Sequence, residues 1–145
     1  MKTVVATGVF DILHPGHVLF LEEAKKQGDR LVVIVARDRN AEKRKNHPII
    51  PERQRLELVS ALKPVDEAIL GDHADFYKPI KDINPDIIAL GRNQKFNENE
   101  LQAELEKRSL KAKVIRIDAH MEGELSSSSR IIEKIKKSSE HASKS

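Results

Sequence analysis

The chain has 145 residues, 26 Lys and Arg against 23 Asp and Glu, and no cysteine or tryptophan. That length fits one domain with a sizeable core, and the clustering of its apolar residues into runs argues against disorder. Its mild charge balance and scarcity of aromatics exclude a nucleic-acid binder, its lack of cysteine excludes disulfides and thiolate chemistry, and no apolar run approaches membrane-spanning length. Residues 3–6, Thr-Val-Val-Ala, are β-branched and apolar and read as a buried strand. Downstream, Val18, Leu19, Phe20, Leu21 and Ala24 recur near helical spacing. Between them, Thr7, Gly8, Val9, Phe10 and Asp11 lead through Ile12 and Leu13 to His14, Pro15, Gly16 and His17, a strand-to-helix turn. Gly8 is expected to supply a tight bend and close ligand approach. Pro15 and Gly16 fix the helix start, and a helix start attracts phosphate through its unpaired N–H groups. His14 and His17 lie about one turn apart, so both imidazoles can donate to phosphate oxygens there. A lone histidine at a helix start is ordinarily a cap or a surface group; two bracketing Pro-Gly after such a turn point to chemistry.

Gly28-Asp29 ends the first helix, and residues 30–36 read as a second buried strand, completing a βαβ unit that favours a parallel sheet. Residues 37–40 then turn. Lys43, Arg44 and Lys45 form a basic run, which is ordinarily a solvated loop. Here it follows the carboxyl end of a strand, where open α/β sheets bind ligands and cations can neutralise phosphate charge. Pro51-Glu52-Arg53 starts another helix with Leu56, Val59 and Leu62 as its stripe, and residues 68–70 are a short third strand. Residues 75–83 read as a short helix and 86–90 as a fourth buried strand. Gly91 opens a ligand-facing turn, and Asn97 with Glu100 reads as a capping box for a helix to Arg108. Residues 113–117 are the fifth strand. The run Ser126 to Ser129 precedes Ile131, Ile132 and Ile135 of a last helix, where serine hydroxyls can cap amides and bond phosphate. Residues 138–145 are expected to be a disordered polar tail beyond a domain spanning 1–137. Dinucleotide-binding and P-loop glycine patterns are absent, and His47, His73 and His141 are read as surface residues.

The stretch Gly-Val-Phe-Asp-Ile-Leu-His-Pro-Gly-His resembles the signature of the HxGH nucleotidyltransferases, the cytidylyltransferase-like superfamily. That resemblance implies transfer of a nucleotidyl group from a nucleoside triphosphate to a phosphate-bearing acceptor, with release of pyrophosphate. It places Thr7, Gly8, Val9, Phe10, His14, Pro15, Gly16, His17, Arg55, Gly91, Asn93, Ser127, Ser128 and Ser129 at the nucleotide, with His14, His17, Lys43 and Lys45 as catalytic groups. Mg²⁺ or another divalent metal is expected on the triphosphate, with Asp11 as an indirect partner. The run from Leu125 to Ile131 resembles the family's third motif, and residues 120–124 just upstream lack the arginine that the family often carries before Glu-Gly. The fold implied is a single Rossmann-like α/β domain of about five parallel strands with helices on both faces. Pro-Ile-Ile-Pro-Glu-Arg-Gln-Arg and Leu-Lys-Pro-Val-Asp-Glu-Ala-Ile-Leu-Gly look most like the archaeal FAD synthases, which move AMP from ATP to FMN. A glycerol-3-phosphate cytidylyltransferase using CTP, with pantetheine-phosphate adenylyltransferase a weaker third, and a nucleotide-binding sensor without turnover are the alternatives. A homodimer is common among relatives. A cytoplasmic location is expected, since no leader-like segment precedes Thr3.

Overall fold

Strand β1 (Thr3–Gly8) is buried on both faces and stands at the centre of one sheet. It is flanked by β2 (Arg30–Val35), with β3 (Glu67–Leu70) beyond, and on the other side by β4 (Ile87–Leu90) and β5 (Lys113–Arg116). The order is β3-β2-β1-β4-β5 and every neighbouring pair is parallel, with Val5 opposite Val32 on one side and Ile88 on the other. The structure is a computed structural model that describes residues 1–42, 48–92, 94–118 and 127–143. Its helices are α1 (Pro15–Lys25), α2 (Asp38–Glu42), α3 (Glu52–Ser60), α4 (Tyr77–Ile83), α5 (Glu98–Lys107) and α6 (Ser128–Ser143).

Alternation along β1 divides the core into two layers. Val4 and Ala6 pack with Leu21 and Ala24 of α1 and Val59 of α3, whereas Val5 packs with Ile80 of α4 and Leu101 and Leu105 of α5. Helices therefore cover both faces, as an all-parallel sheet requires. At the amino edge of the strands, carboxylates hold the register. Asp66 accepts from the Leu31 N–H at 2.7 Å and from Lys25, and Asp86 accepts from the Thr3 N–H at 2.9 Å. This is the expected single α/β domain.

Three local expectations are corrected. β1 runs on through Thr7 and Gly8, because both continue the ladder opposite Ile34 and Val35. Residues 38–40, expected in a turn, begin α2, whose Asp38 N–H donates to Glu52 while the Glu52 N–H donates back to Asp38. Residues 138–143, expected as an unstructured tail, continue α6. Once a helix is nucleated each further residue adds a backbone bond, polar or not, and a Glu133–Lys137 pair spans one turn of it.

Candidate active site

Residues 9–14 connect β1 to α1 at the carboxyl edge of the central strand, beside the point where strand order reverses between β1 and β4. Open α/β sheets bind ligands at that position. The turn's left-handed residue is Phe10, at φ 54°; Gly8 has no positive φ. A Cβ on Gly8 would lie 2.9 Å from the Phe10 ring, so glycine there makes room for the ring instead of supplying the bend. A side chain in the left-handed region costs about 1–2 kcal/mol, and burying a ring of this size returns roughly 1.5–3 kcal/mol. Phe10 is buried, so the turn holds.

Arg55 fixes the same turn from below. Its side chain is 0% exposed, and its guanidinium donates to the carbonyls of Ile50 (2.8 Å), Val9 (2.7 Å) and Ala36 (2.8 Å) and to the Asp38 carboxylate (2.6 Å). The expectation of a nucleotide contact from Arg55 is corrected: a buried fork committed to four acceptors positions backbone and does not face a ligand. Asp11 closes the opposite side, accepting from the N–H groups of Ile49 (3.0 Å) and Ile50 (2.9 Å).

His14 is the N-cap of α1 and lies outside the helix, with extended backbone at φ −146° and ψ 169°. Its Nδ1 accepts from the Gly16 N–H at 3.0 Å, and Nδ1 of His17 accepts from the His14 N–H at 3.3 Å. The two imidazoles thus form a reciprocal cap, with ring centroids 3.9 Å apart and the Phe10 ring 5.5 Å from His17. An Nδ1 that accepts a hydrogen bond carries no proton, so in each neutral ring the proton sits on Nε2. Burial lowers the His14 pKa. Burial, then the neighbouring His14, lower that of His17 to about 4 against a smaller opposing pull from Asp11. Both rings are therefore neutral Nε2–H donors at pH 7. The backbone cradle expected from Pro15 and Gly16 is corrected accordingly: Pro15 has no N–H, and that of Gly16 is held by His14.

The start of α6 lies against this turn. Ser128 Oγ donates to the Ile12 carbonyl at 2.9 Å, joining positions 116 residues apart, and Ser127 Oγ accepts from the Arg130 N–H at 3.2 Å as a cap. Ser129 is exposed. The first amides of a helix have no intrahelical partner, which leaves those of Ser128 and Ser129 directed toward the end of the helix.

The turn after β4 is organised by two side chains that the sequence reading passed over. Arg116 donates to the carbonyls of Gly91 (2.7 Å), Gln94 (3.0 Å) and Phe96 (2.6 Å). Gln94 accepts from the Gly91 N–H at 2.7 Å and donates to the Thr7 carbonyl at 3.0 Å, bridging β4 to β1. The available signal was an arginine inside the apolar run of β5, which needs a set of acceptors to be tolerated there. Thr7, Gly8 and Val9 line a cavity of about 230 Å³ on the α4 side of β1. Lys43, Lys45 and Asn93, as well as residues 120–124 upstream of the serine run, lie outside the described residues.

No group of three His, Cys, Asp or Glu side chains stands ready to hold a metal ion among the described residues. Asp11, the expected indirect partner, is engaged by two backbone amides. Also among the described residues, no helix is long and apolar enough to cross a membrane.

A family model described as cytidylyltransferase-like matches residues 5–134. The chain is 64% identical to an FAD synthase of Ferroglobus placidus over 135 residues, covering 93% of this chain and 88% of that protein. It is 60% identical to an FAD synthase of Archaeoglobus profundus, with 93% and 86% covered. Among solved structures it is similar to a lipopolysaccharide core biosynthesis protein of Thermoplasma volcanium, at TM-score 0.81 and 50% identity, covering 83% of this chain and 99% of the other.

Proposed function

The chain belongs to the cytidylyltransferase-like family, and from that premise we propose that it transfers AMP from ATP to the phosphate of FMN, giving FAD and pyrophosphate. An FMN phosphate oxygen attacks the α-phosphorus of ATP; that P–O bond forms while the bond from the α-phosphorus to the β-phosphate oxygen breaks. The acceptor phosphate is already ionised at neutral pH, so positioning and charge stabilisation carry the rate. The observation that carries this reading is the neutral imidazole pair, whose Nδ1 atoms are tied to backbone and whose Nε2–H groups remain for phosphate oxygens. The amides of Ser128 and Ser129 are proposed as the second set of donors, in place of the α1 amides. Lys43 and Lys45 keep their proposed role of neutralising the triphosphate, and Gly91 and Asn93 theirs at the base or ribose. A divalent metal such as Mg²⁺ enters on the triphosphate as part of the substrate, where it offsets phosphate charge; Asp11 reaches it only through water.

The test is FAD formation and pyrophosphate release from ATP plus FMN with Mg²⁺, run beside CTP plus glycerol-3-phosphate. FAD from the first pair is the expected result. Turnover only with the second pair overturns the substrate assignment, and ATP binding without turnover of either pair makes the chain a nucleotide sensor.

A further inference from the structure

Aromatic side chains are rare in this chain, four Phe and one Tyr, yet three of them meet at one place. Phe76 stacks on Phe96 with centroids 5.3 Å apart and meets Tyr77 edge-on at 5.2 Å, and the Arg108 guanidinium covers Tyr77 at 4.1 Å. Phe76 also lines the cavity described above, together with Ile34, Ala36, Ala41, Ala74 and Pro79. No lysine or arginine lines it among the described residues. His73 also lines it, and the rest of its polar wall is largely engaged within the protein. Gln94 is bonded to Thr7, an Asn40 N–H donates to the Asp72 carbonyl at 2.9 Å, and Asp72 Oδ2 accepts from the N–H groups of Ala74 and Asp75. Those two amides hold Asp72 below the usual carboxylate range, and Lys78 Nζ stands 3.9 Å from its Oδ1, so the carboxylate is ionised and partly balanced.

Apart from His73, the described lining offers a phosphate little to pair with, since its other polar groups are committed within the protein. An uncharged flat ring is suited to it, because apolar burial and stacking are the interactions on offer. The volume is below that of cavities enclosing a whole drug-sized ligand, so only part of an acceptor enters. The strand and turn that line it, Thr7 to Val9, lead directly to Phe10 and thence to the imidazoles.

We propose that this cavity receives the isoalloxazine ring of the acceptor and that Phe76, fixed by Phe96 behind it, determines acceptor choice by stacking on that ring. The proposal rests on the FMN reading above and predicts that a three-carbon polyol phosphate, with no apolar body, is a poor acceptor. Lumiflavin, the ring without the ribityl phosphate, is the probe. With the full chain, lumiflavin fluorescence should be quenched on binding, FMN should displace it and ATP should not. In Phe76→Leu the lumiflavin Kd and the KM for FMN should rise about three- to tenfold, the range a lost aromatic pair produces, without a matching rise in the KM for ATP. Phe76→Ala should show the larger effect. Failure of lumiflavin to compete with FMN, or a Leu variant that holds both flavins as tightly as the parent, overturns the proposal. A parent chain that makes no FAD but binds lumiflavin in a Phe76-dependent way overturns the FMN reading and supports the ring site.

Discussion

His17 Nδ1 accepts from the His14 N–H, so adding a proton to that nitrogen breaks the cap, and burial disfavours the cation besides. The folded chain therefore holds His17 neutral down to about pH 4, while the unfolded chain takes up a proton near pH 6.5. The unfolded state binds more protons between those values, so stability falls as pH drops through that window. The expected loss is about 2 kcal/mol by pH 5, toward a limit of about 3 kcal/mol, before carboxylates titrate. Urea denaturation between pH 7 and pH 5 measures it. His17→Asn keeps an acceptor for the His14 N–H while removing the Nε2–H. That variant should flatten the pH slope, remain folded and lose on the order of 10²-fold or more in turnover. Both histidines and their place at the mouth of α1 could be read from spacing around Pro15 and Gly16. Their roles could not, because Pro15 places His14 outside the helix but residue order does not specify that each ring's Nδ1 then turns back onto an amide.

Among elements, α3 carries the clearest case of a residue in an unexpected job. Arg55 lies one turn before Val59, on the face that packs against the sheet, so its position already marked it as inward. Family likeness instead favoured a ligand contact. What periodicity cannot supply is the identity of four acceptors drawn from three separate segments, Val9, Ala36 with Asp38, and Ile50. Replacing Arg55 by Met should cost about 3–5 kcal/mol, seen as a lowered urea midpoint, since three carbonyls lose a charged donor inside the protein. Lysine should rescue only part of that loss, because one ammonium lacks the planar fork. The strands were legible throughout, being apolar runs that a doubly covered parallel sheet demands. α2 was not, since its support comes from the Asp38–Glu52 exchange across 14 positions and not from its own pattern.

The whole molecule brings the first and last motifs together. The turns that follow β1 and β4 leave the same edge of the parallel sheet. The bond that joins α6 to the histidine turn, from Ser128 to Ile12, is a single side-chain contact. Ser128→Ala should leave the sheet intact, speed amide exchange in the first turn of α6 and raise the KM for ATP by up to about tenfold, the worth of one such bond.

That long-range tether also sets a schedule for synthesis. A chain emerging amino end first has every strand through Arg116, both imidazoles and the Arg55 clamp available before Ser128 has left the ribosome. Until then the histidine turn lacks its contact from α6, and the proposed pairing of imidazole and α6 donors is incomplete.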